Sequence, residues 1–212
     1  MYASKAWAWV LTAVIGYLLG SISGSITVSR FFYKDDIRKY GSGNAGTTNV
    51  LRTYGKGKAA MTILVDFGKT MAAIAVGRLL IGEFAVCVAG IAVTIGHAYP
   101  VYYGFKGGKA AACSAACMLM LDLRVFAVAA LLFFGSFFVK KTVSISTLLV
   151  AVTFPLVTAF FFRDILTTPT GISYLIFSVY ICVFVVYLHR GNIQRLRSGT
   201  ELSFDKKGKG EK

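Results

Sequence analysis

Five polar side chains in this sequence, Ser42, Arg52, Lys109, His189 and Asn192, stand in three loops that interrupt otherwise apolar runs. The first loop, residues 41–52, reads GSGNAGTTNVLR. Glycine permits positive φ angles and close backbone approach, so Gly43 and Gly46 can help turn N–H groups toward one anion. Ser42, Thr47 and Thr48 add hydroxyl donors, Asn44 and Asn49 add amides, and Arg52 offers a planar fork that matches phosphate oxygens. The second loop, residues 96–109, reads GHAYPVYYGFKGGK. Gly107 and Gly108 precede a predicted helix whose N-terminal N–H groups and positive dipole end would face a bound phosphate, with Lys109 as a nearby point charge. His97 in this loop reads as a residue that orients the chain by hydrogen bonding. The third stretch, residues 189–196, reads HRGNIQRL, and the three-residue spacing of His189 and Asn192 places both on one side of a helix. Together these are the parts of a phosphate-handling site. Arg190, Arg195 and Arg197 read as topology charges, and Ser144 and Ser146 as further hydroxyl donors at the start of an apolar run.

Several other chemistries are excluded by context. Gly41, Gly43 and Gly46 satisfy the spacing of a dinucleotide-binding turn, but no strand precedes them and Asp66 lies within an apolar run. A phosphate loop of the nucleotide-hydrolase kind would need a lysine after Gly46, where Thr47 stands. The acyltransferase pairing of histidine with aspartate five residues later is missing, since Tyr102 follows His97 and Gln194 follows His189 at that distance. Cys87, Cys113, Cys117 and Cys182 all fall in apolar runs without a CxxC pair or a histidine at ligand spacing, so no metal site is expected.

Membrane helices are expected to carry these loops. Of 212 residues, 56% are hydrophobic and mean hydropathy is +0.67, values uncommon in water-soluble domains of this size. Crossing the hydrocarbon takes about 20 apolar residues, and candidate spans lie at 7–29, 59–81, 84–103, 110–121, 125–139, 143–162 and 172–188. The fourth and fifth are short, which leaves one helix over 110–139 as an alternative, but Asp122 and Arg124 favour a turn between them. With seven spans Lys5, Arg78, Arg124 and Arg163 fall on one side, while Arg52, Lys106, Lys109, Lys140, Lys141 and the basic tail fall on the other. By the positive-inside rule the N-terminus is then outside and the tail cytoplasmic. The expected fold is therefore all-α, a polytopic membrane helix bundle, with an integral domain over residues 1–197 and a basic, disordered tail over 198–212. Within the second span Asp66 and Lys69 are three residues apart, and their pairing would offset the cost of burying either charge. The net charge of +14 is spread among apolar runs rather than gathered in one polar segment, which argues against nucleic acid as a partner.

The segments SGNAGTTNVLR, GHAYPVYYGFKGGK and HRGNIQRL, in this order and joined with GYLLGSI and VDFGK in the first two spans, resemble the bacterial acyl-phosphate-dependent glycerol-3-phosphate acyltransferases. The resemblance implies a seven-helix enzyme of the bacterial inner membrane. Its reaction would move the acyl group of acyl phosphate to the 1-hydroxyl of glycerol 3-phosphate, yielding lysophosphatidate and inorganic phosphate, with the active site at the cytoplasmic face. It implies no metal, no cofactor, no coenzyme A and no obligate protein partner, only the two substrates and membrane lipid. Carried over by position, Ser42, Arg52, Lys109, His189 and Asn192 become the catalytic set. Gly43, Asn44, Gly46, Thr48, Asn49, Gly107, Gly108 and Ser144 become the substrate-binding set. Ser23 and Ala110 depart from the family pattern, which commonly has proline and glycine there. A membrane transporter for small anions or phosphoesters is the alternative, because glycine-broken helices with buried charge also mark transport paths; the absence of an internal repeat and the clustering of motifs at one face favour the enzyme.

Overall fold

The computed structural model describes residues 5–203, and among these the regular structure is entirely helical. Nine α-helices follow one another: α1 Ala6–Gly20, α2 Gly24–Tyr33, α3 Thr47–Ile81, α4 Ala85–Ala98, α5 Ala111–Leu121, α6 Leu123–Lys140, α7 Val143–Phe161, α8 Pro169–Leu188 and α9 Arg190–Arg197. Five stretches are long and apolar enough to cross a membrane, namely Ala6–Tyr33, Thr47–Tyr103, Leu123–Lys140, Val143–Phe161 and Pro169–Leu188. The second contains both α3 and α4, separated by a turn at Gly82. The chain is an integral membrane helical protein.

Helices α1, α3 and α4 form the inner packing unit, and α7 and α8 pack beyond it. Side-chain bulk decides how closely α1 and α4 approach. Gly20 lies against the backbone of Val93 and Gly96 against the carbonyl of Tyr17, so a Cβ at either position would collide with main chain. Membrane helices associate through such close contacts because lipid tails offer no hydrophobic incentive to pair. Next to this seam Ile74, Val93, Met118, Phe154, Phe177 and Ile181 fill the core, with the rings of Phe154 and Phe177 edge to face.

Two boundaries differ from the sequence reading or resolve it. The first span is not one helix: α1 ends at Gly20, and Ser23, with extended backbone, starts α2 by accepting a hydrogen bond from the Ile26 N–H. Between α5 and α6 the chain does turn. Asp122 is extended (φ −163°, ψ 134°) and its carboxylate accepts from the Arg124 N–H at 2.7 Å, capping α6. At the other end of the molecule α3 breaks at Gly55 (φ 82°), which separates its short loop-borne segment from the long apolar one.

Candidate active site

The first loop is held together by one of the residues expected to bind substrate. Asn49 is only 1% exposed; its amide nitrogen donates to the carbonyls of Ile37, Tyr40 and Asn44, and its carbonyl oxygen accepts from the Ser42 N–H at 3.0 Å. Both polar atoms of the Asn49 side chain are thereby engaged with the loop itself, so it shapes the site. The N–H groups of Gly43 and Gly46 donate to Tyr40 and Asn44 carbonyls, which makes the glycines turn formers here. Thr47 and Thr48 head α3, where helix geometry leaves N–H groups without intrahelical acceptors. Ser42 is exposed on the loop edge and Asn44 half-buried beside it.

In the second loop the N–H groups of Gly107 and Gly108 point back to the carbonyls of Ala98 and His97, at 3.1 and 3.0 Å. These two glycines therefore contribute close approach rather than anion-facing donors. The chain then passes through Ala110 in the left-handed region (φ 57°) and begins α5 at Ala111. Gly43 and Gly107 also border an open cleft of about 550 Å³ with Arg38, Tyr103, Gly104 and Lys106.

The cationic centre forms where α3, the second loop, α7 and α9 meet. Lys109 Nζ donates to the side-chain oxygen of Asn192. The Asn192 amide donates in turn to Glu201 Oε1 at 2.6 Å; the same oxygen accepts from Ser144 Oγ at 2.8 Å, and Arg195 Nε donates to Glu201 Oε2 at 2.7 Å. Arg52 lies within electrostatic reach of Glu201 and Arg195, and its Nη2 donates to the Leu202 carbonyl at 3.0 Å. Burial and the nearby Arg195 charge hold the Lys109 ammonium below its ordinary pKa. Burial opposes the Glu201 carboxylate, yet the donors Asn192, Ser144 and Arg195 outweigh it and keep the group below the usual range. Arg52, Lys109 and Arg195 thus face one carboxylate, leaving an excess of positive charge.

His189 caps α8 at the edge of this cluster and is 4% exposed. Its Nδ1 lies 2.8 Å from the Val185 carbonyl, which can only accept, so Nδ1 carries the hydrogen and Nε2 is left as an acceptor. Burial and, after it, the Lys109 charge push its pKa down to about 4, against the Val185 hydrogen bond.

The structure thus joins Arg52, Lys109, Ser144, His189 and Asn192 into one locus and leaves Ser42 outside its hydrogen bonds. Sequence reading missed Glu201 and undervalued Arg195. A signal was present: Glu201 is the first acid after Asp164 and follows a run of arginines, in a chain with only 9 acidic residues. Residues 198–203 of the expected tail bond to the site, with Ser203 Oγ donating to the Lys141 carbonyl at 3.1 Å; positions 204–212 lie outside the described residues.

Beneath the loops Asp66 and Lys69 pair at 2.9 Å, as their spacing predicts. Asp66, His97 and Cys113 bring three possible metal ligand atoms within 4.8 Å of one another. Lys69 Nζ, however, lies 2.9 Å from both Asp66 Oδ1 and His97 Nδ1, so an ammonium already takes the position of a cation. The donor set does not fit a divalent ion.

A polytopic helical bundle with a cationic, loop-built centre at one end is the layout of a membrane enzyme acting on an anionic substrate. The glycerol-3-phosphate acyltransferase family profile matches residues 10–199, and the chain belongs to that family. It is an acyltransferase. It is 36% identical over 192 residues to the glycerol-3-phosphate acyltransferase of Carboxydothermus hydrogenoformans, covering 91% of this chain and 94% of the relative. To that of Syntrophomonas wolfei it is 39% identical over 188 residues, covering 89% and 93%. Among solved structures, the glycerol 3-phosphate form of PlsY (YgiH), an integral membrane glycerol 3-phosphate acyltransferase, superposes with a TM-score of 0.82 at 29% identity, covering 92% of this chain and 95% of that one. The lysophosphatidic acid form of the same protein gives a TM-score of 0.80 at 28% identity.

Proposed function

We propose that this enzyme transfers the acyl group of acyl phosphate to the 1-hydroxyl of glycerol 3-phosphate, releasing 1-acyl-glycerol 3-phosphate and inorganic phosphate, the first acylation of phospholipid synthesis. The observation that carries the reading is the anion already held in the centre. Asn192, Ser144 and Arg195 grip the Glu201 carboxylate, and the surplus charge of Lys109 and Arg52 suits a phosphate beside it. An acyl phosphate is an activated mixed anhydride, so no covalent enzyme intermediate is needed; the two substrates must be held with hydroxyl against carbonyl. The glycerol oxygen forms the new bond to the acyl carbon, the bond from that carbon to the phosphate oxygen breaks, and phosphate leaves with the electron pair. Arg52, Lys109 and the α5 N-terminus stabilise the developing charge. The hydroxyl proton passes to His189 Nε2 or to a phosphate oxygen of the substrates. Ser42, Asn44, Gly46, Thr48 and Gly43 form the rim that receives substrate, with Gly107 and Gly108 allowing its close approach.

In this reading seven segments cross a bacterial inner membrane, with the N-terminus outside and the site at the cytoplasmic face. The catalytic domain then runs through Ser203 and the basic tail follows it. Labelling of single cysteines should place Lys5, Arg124 and Arg163 outside and Lys140 inside; Lys140 outside would sink the seven-span topology. The function is tested by phosphate release from acyl phosphate by purified protein with and without glycerol 3-phosphate. Release that requires glycerol 3-phosphate and yields lysophosphatidate, with no product from acyl-coenzyme A, is expected. Equal rates with both donors would refute the donor assignment.

A further inference from the structure

Three buried residues outside the cationic centre are joined to it through one glycine. Asp66, Lys69 and His97 are 1%, 6% and 3% exposed. Lys69 Nζ donates to the Gly20 and Ile22 carbonyls at 3.0 and 2.6 Å, and Asp66 Oδ1 accepts from the Gly24 N–H at 3.2 Å. The pair therefore satisfies the backbone groups released where α1 breaks and α2 begins. Breaking a helix inside a membrane exposes such groups at a cost of several kcal/mol each unless a partner is supplied.

The same ammonium reaches His97 Nδ1 at 2.9 Å. Asp66 Oδ1 lies 3.5 Å from the same ring nitrogen, so Nδ1 faces the charged pair and Nε2 forms the opposite edge of the ring. That edge faces Gly108, where a Cβ would collide with Nε2 and come within 2.6 Å of the Ala45 carbonyl. The α-carbon of Gly108 is thus clasped between the His97 ring and the first loop. The next residue is Lys109.

We propose that His97 is a positioning residue for acyl transfer: the Nε2 edge of its ring sets the second loop, hence Lys109 and the start of α5, against the first loop, while the Asp66–Lys69 pair beneath it holds the break between α1 and α2. The inference rests on the acyl-transfer reading given above. It differs from a purely structural role for the network in one respect. A structural role requires only that Lys69 keep its acceptors, whereas loop positioning requires the Nε2 edge of the ring.

Two substitutions separate these demands. His97→Asn places its side-chain oxygen near the position of Nδ1, keeping the Lys69 acceptor while removing the edge that meets Gly108. His97→Gln keeps the reach to Gly108 and gives up the Lys69 acceptor. Purified His97→Asn should melt near the wild type yet raise KM for glycerol 3-phosphate or acyl phosphate about tenfold, the loss of one well-placed contact, with kcat changed less. His97→Gln should melt lower with both KM values close to wild type. His97→Asn with both KM values within twofold of wild type overturns the proposal, as does His97→Gln with a KM raised as far as that of His97→Asn. Should His97→Asn not insert, His97→Gln alone decides: a wild-type KM with a lowered melting temperature upholds loop positioning and a raised KM overturns it. Wild-type turnover is measured first. Its absence would sink the functional reading instead, and the same variants would then be compared by thermal shift with inorganic phosphate, where loss of the shift in His97→Asn alone is the expected result and equal shifts refute it.

Discussion

Lys109 and Asn192, 83 residues apart, are joined side chain to side chain, and through the other end of its amide Asn192 reaches Glu201. The amide has one acceptor and one donor end here, so it relays between a cation and a carboxylate and can be removed from neither without freeing both. Lys109→Ala should lower kcat/KM by about 10²–10³, the usual worth of an electrostatic contact to a transition state. Asn192→Ala should cost nearly as much. Their double variant should cost little more than the worse single one, since both changes disable one unit. Additive losses in kcat/KM would show that the two act separately.

Arg52 stands on the loop-borne segment of α3, ahead of the Gly55 break. Arg52→Ala should lose at least about tenfold in kcat/KM, while Arg52→Lys should recover little of it because an ammonium cannot reproduce the planar fork. Full recovery by lysine in steady-state assays would reduce Arg52 to a point charge.

Arg195 reads from sequence as a topology charge, yet its guanidinium holds Glu201, which in turn holds Ser144 and Asn192. Arg195→Ala should therefore reduce activity several-fold, in proportion to the single ion pair it removes, half-exposed on the arginine side and worth about 1 kcal/mol. Glu201→Ala should be worse in both melting temperature and kcat/KM, because it strands three donors at once. Wild-type melting and turnover in Glu201→Ala would show the carboxylate to be incidental.

His189 and His97 are the two histidines of the chain, so labelled imidazole nitrogens give a simple NMR spectrum. At pH 6 the His189 ring should be neutral, with hydrogen on Nδ1, and should titrate only near about 4. The sign for stability follows from the folded value lying below the ordinary one of about 6.5. The unfolded chain then takes up a proton first, so stability falls as pH drops from about 6.5 to about 4 and is unaffected by this group outside that window. The loss is bounded at about 3 kcal/mol from the difference of the two values. Titration of His189 near 6.5 would remove it as an acceptor of constant form.

Ala110 occupies a left-handed conformation and is fully buried. Glycine there would relieve roughly 1 kcal/mol of backbone strain and give up roughly 0.8 kcal/mol of buried methyl. Ala110→Gly should accordingly melt within a few degrees of the wild type and keep its activity. A marked loss of stability would mean that the methyl packs more tightly than its burial suggests.

The all-helical, apolar character of the chain, the turn at Asp122, the Asp66–Lys69 pair and the gathering of Arg52, Lys109, His189 and Asn192 were legible in the sequence. Each follows from local rules: an apolar run of bilayer length, a charge that cannot stand alone in lipid, glycines beside cations at helix ends. The break of α1 was not legible, because the groups that stabilise it, Lys69 and Asp66, are more than 40 residues away. Nor was the inward use of Asn49 or of the Gly107 and Gly108 amides, since a loop sequence states which donors exist and not where they point. Above all, the return of Glu201 onto Ser144 and Asn192 depends on α7 and α9 being neighbours, and long-range contacts of that kind carry no periodicity. The amino-acid order is enough to define a helical membrane protein and the glycines, cations and amides of its polar loops. Which of those groups share the centre and which hold its walls emerges only on folding, because hydrogen bonds between distant segments exist only once packing brings the segments together.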